Sequence, residues 1–211
     1  MLDTSKIYTS KNNGRCKVLE YIDSSNVVVE FLDTGYICTS EAASVKKGLV
    51  KDRLKPNVCG VGFVGVGGYD AAYKRVPTKP YVTWKSMLER CYGNVQKRCP
   101  TYKGVTVCNE WHNFQVFAQW FNDNYIDGFQ LDKDIKTEGN KIYSPSTCLF
   151  VSRKDNSIKA VAKSYTFTNP EGLIVDVYNL VDFCLKNNLN RSGMSKVSTG
   201  VRGSYKGWKI A

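Results

Sequence analysis

Residues 81–92, YVTWKSMLERCY, carry the pattern on which the fold prediction depends. Their apolar side chains recur three, four and seven positions apart, which places them on one face of an α-helix. Residues 110–125 repeat this pattern, and Asn109 stands where an N-cap residue is expected. Both stripes predict helices that face a core rather than platforms for stacking bases. The core positions are Trp84, Met87, Leu88 and Cys91 in the first helix, and Trp111, Phe114, Phe117, Ala118 and Phe121 in the second.

Two short strands and a third helix are predicted after this pair. Residues 131–136 and 147–152 have strand composition, and Gly139-Asn140 predicts a turn between them. A helix is expected to begin near Arg153. The order strand, turn, strand, helix is that of a ββα-metal nuclease motif, although the bare pattern is unspecific.

The N-terminal part predicts a sheet. Residues 15–21 and 26–32 are rich in Val, Ile and aromatic side chains, which favours a small antiparallel sheet or an SH3-like barrel. The glycine-rich residues 58–69 lack the spacing and the following helix of a phosphate-binding loop. This segment is therefore predicted to be a linker or a crossing loop.

The C-terminal part predicts a hairpin followed by two short helices. Residues 165–167 and 173–178 flank an Asn-Pro-Glu-Gly turn sequence. Residues 179–187 and 191–197 predict the helices, with Asn190 as the cap of the second. This spacing fits a helix-turn-helix, and the alternative is a small α+β cap with a solvated basic face. In a helix-turn-helix the residues facing DNA would be Arg191, Ser192, Ser195 and Lys196, with Arg202, Lys206 and Lys209 as further phosphate partners.

Composition narrows the class of partner. The 211 residues include 30 Lys and Arg against 19 Asp and Glu, a net charge of +11 with a sequence pI near 9.2. Such a chain attracts polyanions, because phosphate neutralisation releases counterions. No run of apolar residues has the length of a membrane span, and the first residues lack the apolar core of a signal peptide. The sequence predicts a soluble cytoplasmic protein, with double-stranded DNA rather than a membrane as its partner.

The eight cysteines favour free thiols. Nothing in the sequence indicates secretion, and no CxxC pair is present, so neither a disulfide framework nor a zinc ribbon is predicted. Buried thiols are the default interpretation. The alternative is a structural zinc site formed by Cys91, Cys99, Cys108 and Cys148.

The predicted architecture is an α+β assembly of three small units. Residues 1–69 form a β-rich domain with an SH3-like barrel, residues 70–162 a ββα-metal domain, and residues 163–211 the hairpin and helix-turn-helix module.

Several spaced motifs together resemble a known family. The motifs are Trp84-x-x-Met87-x-x-Arg90-Cys91-Tyr92, Tyr102-x-Gly104-Val105-x-Val107-Cys108-x-x-Trp111, Phe114-x-x-Phe117, Leu131-Asp132-Lys133-Asp134-Ile135, Gly139-Asn140-Lys141-x-Tyr143-Ser144-Pro145-x-Thr147-Cys148 and Asn156. Residues 81–160 are similar in these motifs to phage-encoded HNH-type homing endonucleases. The tail, from Asn179-Leu180-x-x-Phe183-Cys184 to Lys206-Gly207-Trp208, resembles the helix-turn-helix repeats attached to such enzymes.

The resemblance implies roles for individual residues. Asp132 and Asn156 occupy the metal positions, where carboxylate and amide oxygens suit Mg²⁺ or Mn²⁺. Lys133 stands where the family has its histidine base, and Asp134 is a candidate second ligand or base. The asparagine that braces the loop is replaced by Thr147 or displaced. Arg153 and Lys154 are implied as DNA contacts.

These departures leave two main hypotheses open. The first is a metal-dependent homing endonuclease that cleaves DNA phosphodiesters. The second is an HNH scaffold that has lost its base and binds DNA as a regulatory factor, because a protonated lysine accepts no proton. The only histidine, His112, is interpreted as an exposed helix residue rather than a base supplied from outside the motif. An RNA-binding role is a weaker third hypothesis.

Overall fold

A computed structural model describes residues 2–137, 139–153, 156 and 163–211, without the side chains of Gln96 and Lys97. The fold is mixed α+β, as predicted, and the chain forms two compact units. The first unit comprises Met1–Asp127 and Leu131–Phe150, and the second Gly128–Gln130 and Val151–Ala211. The division into three domains at residues 69 and 162 stays a prediction. Among the described residues, no helix has the length and apolar character needed to cross a bilayer.

The N-terminal strands form an open antiparallel sheet. Its strands are β1 (Ile7–Ser10), β2 (Gly14–Tyr21), β3 (Val27–Phe31) and β4 (Ile37–Ser40), and they pair in chain order. A short helix, α1 (Ala42–Lys47), follows the last strand. The strands predicted at 15–21 and 26–32 are thus confirmed as β2 and β3.

Among the described residues the sheet does not close into a barrel, and the predicted SH3-like barrel is not confirmed. In the described part of the chain β1 and β4 are the two edges of the sheet and do not pair. Alternate residues Val27, Val29 and Phe31 are fully buried on one face, as the two-residue period of a strand requires. Ala42 and Val45 of α1 join the same core. A helix therefore covers the apolar face, and the sheet does not need to close on itself to bury it.

The two predicted amphipathic helices form the centre of the first unit. They are α2 (Lys79–Tyr92) and α4 (Phe114–Asn124), and between them lies a four-residue helix, α3 (Val95–Arg98). The start of α4 differs from the prediction, because residues 109–112 form a 3₁₀ turn and the cap is Asn113, whose side chain accepts from the Gln115 N–H. All predicted core positions are buried: Trp84, Met87, Leu88, Cys91, Trp111, Phe114, Phe117, Ala118 and Phe121.

Short strands precede, separate and follow these helices. The strands predicted at 131–136 and 147–152 are confirmed in shorter form as β8 (Gln130–Asp132) and β10 (Leu149–Val151), which pair with each other. Arg153 and Asn156 are helical, in agreement with a helix beginning near Arg153, whereas Lys154 lies outside the described residues. The strand bounds are β5 (Ala72–Tyr73), β6 (Val76–Pro77), β7 (Thr106–Val107), β8 (Gln130–Asp132), β9 (Ile142–Tyr143) and β10 (Leu149–Val151).

The glycine-rich segment crosses the helical core and packs on it. The Phe63 N–H donates to the His112 carbonyl at 2.9 Å, and the Phe114 N–H donates to the Phe63 carbonyl at 2.9 Å. The Gln115 amide donates to the carbonyls of Val64 and Tyr69, at 3.1 and 2.9 Å. Of the two predicted alternatives, the crossing loop is therefore confirmed and the linker is wrong.

The second unit contains the predicted hairpin and both predicted helices. The hairpin is β11 (Ser164–Thr168) with β12 (Ile174–Tyr178), and the helices are α5 (Leu180–Lys186) and α6 (Arg191–Ser198). The final strand, β13 (Lys209–Ile210), pairs with β11 and ties the C-terminal end to the sheet. A separate small core forms from Phe167, Val177, Leu180, Cys184, Met194 and Val197.

Gly62→Ala tests the close approach of the crossing loop to α2. A Cβ at Gly62 would overlap the Leu88 Cδ1 atom and lie 2.9 Å from Trp84 Cζ2, and both side chains are fully buried. We expect a loss of about 1–3 kcal/mol in the free energy of unfolding, because overpacked cores shift at that cost. The measurement is urea unfolding followed by tryptophan fluorescence. Gly68→Ala is the matched control, since its Cβ would meet nothing within 4 Å. Equal unfolding midpoints in the two variants would contradict the packing described for Gly62.

Candidate nucleic-acid interface

The turn between α5 and α6 is fixed by local backbone chemistry. Asn188 adopts a left-handed conformation with φ of 51°, which asparagine tolerates better than most residues. The Leu189 N–H then donates to the Cys184 carbonyl at 2.8 Å and closes the end of α5. At the start of α6 the Asn190 Oδ1 atom accepts from the Gly193 N–H at 3.2 Å, so the predicted cap is confirmed.

One face of α6 is buried and the opposite face is exposed. Gly193, Met194 and Val197 pack against the small core of the second unit. The four side chains predicted to point outward are all exposed: Arg191, Ser192, Ser195 and Lys196. Their outward orientation is confirmed. The face presents two cations and two hydroxyl groups, which are suited to phosphate oxygens and base edges.

The C-terminal tail brings further cations to the first turns of α6. The ring of Tyr205 packs so closely on Gly193 that a Cβ there would lie 2.8 Å from Tyr205 Cδ2. Arg202 and Lys206 both contact this ring, with their charged groups 5.3 and 5.9 Å from its centroid. The tail is held by paired backbone hydrogen bonds between Tyr205 and Trp208, at 2.9 and 3.0 Å. Arg202 and Lys206 therefore extend the basic face of α6.

The charge of this region is of one sign. No Asp or Glu follows Asp182 in the sequence, whereas six Lys or Arg residues do. Lys186 forms an ion pair with Asp182 at 2.7 Å. Among the described residues the other five form no ion pair, so their charge is available to a polyanion. They are Arg191, Lys196, Arg202, Lys206 and Lys209.

Sequence reasoning found these cations but missed what positions them. Neither Tyr205 nor Gly193 was predicted to have a role, and their contact joins parts of the chain twelve residues apart. A glycine inside a short helix is an unfavourable choice by propensity, and this is the one signal that the sequence offered.

The loop after β8 holds Lys133 in an inward orientation. Its side chain is only 8% exposed. The ammonium group donates to both carboxylate oxygens of Asp134, at 2.5 and 2.7 Å, and to the Asn140 carbonyl at 2.7 Å. An ammonium group has three donors and no acceptor, so this set of contacts uses its full capacity. The geometry favours a structural role for Lys133 and Asp134, and the catalytic roles implied by the resemblance stay predictions.

Asn140 braces the same loop. Its side-chain amide donates to the carbonyls of Lys133 and Ile142, at 2.8 and 2.7 Å. The resemblance suggested Thr147 for a bracing position, and the Thr147 hydroxyl also donates to the Ile142 carbonyl, at 2.8 Å. Asn140 and Thr147 therefore both brace this loop, and the sequence motif pointed only to Thr147.

The implied metal ligands each have protein partners. Asp132 Oδ1 accepts from the backbone N–H groups of Asp134 and Ile135, at 2.8 and 2.7 Å. The Asn156 amide donates to Gln130 Oε1 at 3.1 Å, within the second unit. Carboxylate and amide oxygens have the chemistry that Mg²⁺ prefers. Within the described ranges, no three His, Cys, Asp or Glu side chains converge as metal ligands would. The Mg²⁺ and Zn²⁺ assignments stay predictions.

His112 does not lie exposed on a helix, contrary to the sequence interpretation. It ends the 3₁₀ turn at residues 109–112 and is half-buried. Its Nε2 atom lies 3.4 Å from the Tyr92 hydroxyl, and the two rings meet edge to face. The Tyr92 hydroxyl in turn accepts from the Val107 N–H at 2.9 Å. His112 is thus part of the packing between α2 and the strand β7.

The central cysteines are held as protonated thiols. Burial raises the pKa of Cys91 to about 12 and the pKa values of Cys108 and Cys148 to about 11. Cys91 and Cys148 are buried, whereas Cys99 is exposed. The default prediction of buried thiols therefore describes Cys91 and Cys148 but not Cys99.

Comparison with known proteins yielded no match, whether to protein-family models, to curated proteins or to solved structures. The likeness to HNH-type homing endonucleases therefore stays an interpretation of the sequence motifs.

Alkylation of the cysteines at pH 8 tests whether Cys91 and Cys148 are buried as protonated thiols. Iodoacetamide reacts with thiolates, and a pKa of about 12 leaves on the order of one Cys91 in ten thousand ionised at that pH. We expect Cys99 to be modified at least a hundred times faster than Cys91 or Cys148, as measured by mass spectrometry of tryptic peptides. Urea should abolish the difference. Rapid modification of Cys91 in the folded protein would contradict the burial described above.

Proposed function

We propose that the protein binds duplex DNA and that the second unit supplies the principal contact. The observation that carries the proposal is the pair of short helices α5 and α6, joined by residues 187–190, with an exposed basic face on the second helix. This order is that of a helix-turn-helix. In such motifs the second helix enters the major groove and its first residues reach the base edges. Here those positions hold Arg191, Ser192, Ser195 and Lys196.

Electrostatics supports the same partner. The net charge is +11, and the 29 residues after Asp182 contain no carboxylate side chain. Each cation placed on a phosphate displaces condensed counterions, which gives affinity without sequence preference. Arg202 and Lys206, held beside Tyr205, are assigned to phosphates, and the outer face of α6 is assigned to base edges. Arg153 is exposed and is a further phosphate contact in this proposal.

Substitution of the tail cations provides the test. We expect Arg202→Ala/Lys206→Ala to weaken binding to all duplexes alike, and to reduce the slope of log K against log salt by about 2, because each phosphate contact contributes about 1. The measurement is fluorescence anisotropy with a labelled duplex at salt concentrations between about 50 and 200 mM.

Lys6→Ala/Lys103→Ala is the matched control for this experiment. It removes the same charge from two exposed lysines of the first unit. If the tail variant and the control lost affinity equally, only general electrostatic attraction would remain and the assigned interface would be wrong. Tighter binding to structured RNA than to duplex DNA at equal salt would contradict the choice of partner.

Within this proposal the non-cleaving hypothesis is favoured over the endonuclease hypothesis. The supporting observation is the inward Lys133, because its ammonium is committed to Asp134 and Asn140 and cannot take a proton from water. The function that we propose is therefore that of a non-cleaving DNA-binding factor with an HNH-like scaffold.

A cleavage assay separates the two hypotheses. We expect supercoiled DNA to stay intact with wild-type protein in Mg²⁺, Mn²⁺ or EDTA, while a gel shift that weakens with salt persists. Asp132→Ala is the companion variant, since its carboxylate would be a metal ligand in a working nuclease. Metal-dependent nicking by the wild type that disappears in Asp132→Ala would overturn the non-cleaving hypothesis and restore the Mg²⁺-dependent endonuclease.

A further inference from the structure

The first unit contains a cleft beside the N-terminal sheet. It has a volume of about 490 Å³ and opens to solvent. One wall is the β1–β2 turn, a second wall is the segment after α1, and the floor includes Phe63 and Tyr81. Lys11 comes from the first wall, and Lys51 and Arg53 come from the second.

Hydrogen bonds join the two walls. The side chain of Asn13 donates to the Lys11 carbonyl at 2.7 Å and accepts from the Asp52 N–H at 3.2 Å. The Arg53 carbonyl accepts from the Gly65 N–H at 2.8 Å, which ties the second wall to the crossing loop. The backbone that carries the three cations is therefore braced, and a ligand would not have to order it.

No carboxylate of the described residues lies within ion-pair distance of the cations of the cleft. In the part of the chain that the structure describes, none of Lys11, Lys51 and Arg53 forms an ion pair. The one carboxylate in the lining, Asp52, is 3% exposed and is directed to other partners. It accepts from the Thr34 hydroxyl at 2.7 Å and from the Leu54 N–H at 2.9 Å. Three like charges gathered in one concave surface favour an anion there.

We propose that this cleft binds a phosphate group, through the cations Lys11, Lys51 and Arg53. A phosphate offers several acceptor oxygens, and it suits guanidinium and ammonium donors from two walls better than a single carboxylate does. The amide side chains of Asn12 and Asn57 in the lining add further donors. The phosphate belongs either to a nucleic-acid backbone or to a small phosphorylated molecule, and only the first source rests on the proposed function.

The test uses inorganic phosphate as the first probe, followed by ¹⁵N NMR of the full chain. We expect saturable shifts of the backbone amides of Asn12, Asn13 and Arg53 in the wild type. Lys11→Ala/Lys51→Ala should weaken this binding at least tenfold, and both lysines are exposed, so the fold is expected to survive. The control is again Lys6→Ala/Lys103→Ala, which removes the same charge from outside the cleft. Equal titrations in the two variants, or no saturable shift in the wild type, would overturn the proposal.

A second arm identifies the source of the phosphate. If the cleft takes the DNA backbone, Lys11→Ala/Lys51→Ala reduces the salt slope of duplex binding by about 2, as two lost phosphate contacts require. If the slope is unchanged while the phosphate shifts are lost, the cleft takes a small phosphorylated ligand. A chain that shows the phosphate shifts but binds no duplex would contradict the proposed function and leave the cleft in place.

Discussion

The first unit depends on the aromatic contact between α2 and the start of α4. Trp84 is fully buried, and its indole N–H donates to the Trp111 carbonyl at 2.6 Å. Its ring lies 5.5 Å from that of Phe114, and Trp111 meets Phe117 edge to face at 5.0 Å. Buried aromatic pairs add specific geometry to the area that they remove from water. This core fixes the angle of both helices and provides the surface on which the glycine-rich segment lies.

That surface explains why the segment is rich in glycine. Gly62 lies against Leu88 and Trp84, and Gly67 lies against the Gln115 side chain, so that neither position has room for a Cβ atom. The Gln115 side chain accepts from the Tyr69 N–H and donates to the carbonyls of Val64 and Tyr69, which satisfies these backbone groups inside the protein. The loop holds one side of the cleft beside the N-terminal sheet, and the proposed phosphate site depends on the same packing.

Positive charges in this protein lie in two different environments, one buried and one exposed. Lys133 is one of the few buried polar residues, and its charge is compensated inside the protein by Asp134. The cations of α6 and the tail have no such partner in the described chain, so their charge can interact with solvent or with a ligand. A buried charge requires compensation because desolvation is costly, whereas an exposed one does not. Lysine therefore has a structural role at position 133 and a proposed binding role in the second unit.

The sequence by itself determined the four longest described helices, six of the described strands and the sign of the charge. The apolar period of α2 and α4, the turn of the hairpin and the cap Asn190 each depend on only a few neighbouring residues, so they can be predicted without knowing the fold. Only the tertiary structure decided that the N-terminal sheet stays open, that Lys133 points inward and that Tyr205 places Arg202 and Lys206 beside α6. These outcomes depend on contacts between residues distant in the chain, or on which neighbour a long side chain can reach. The local periodicity of a sequence carries no information about either kind of contact.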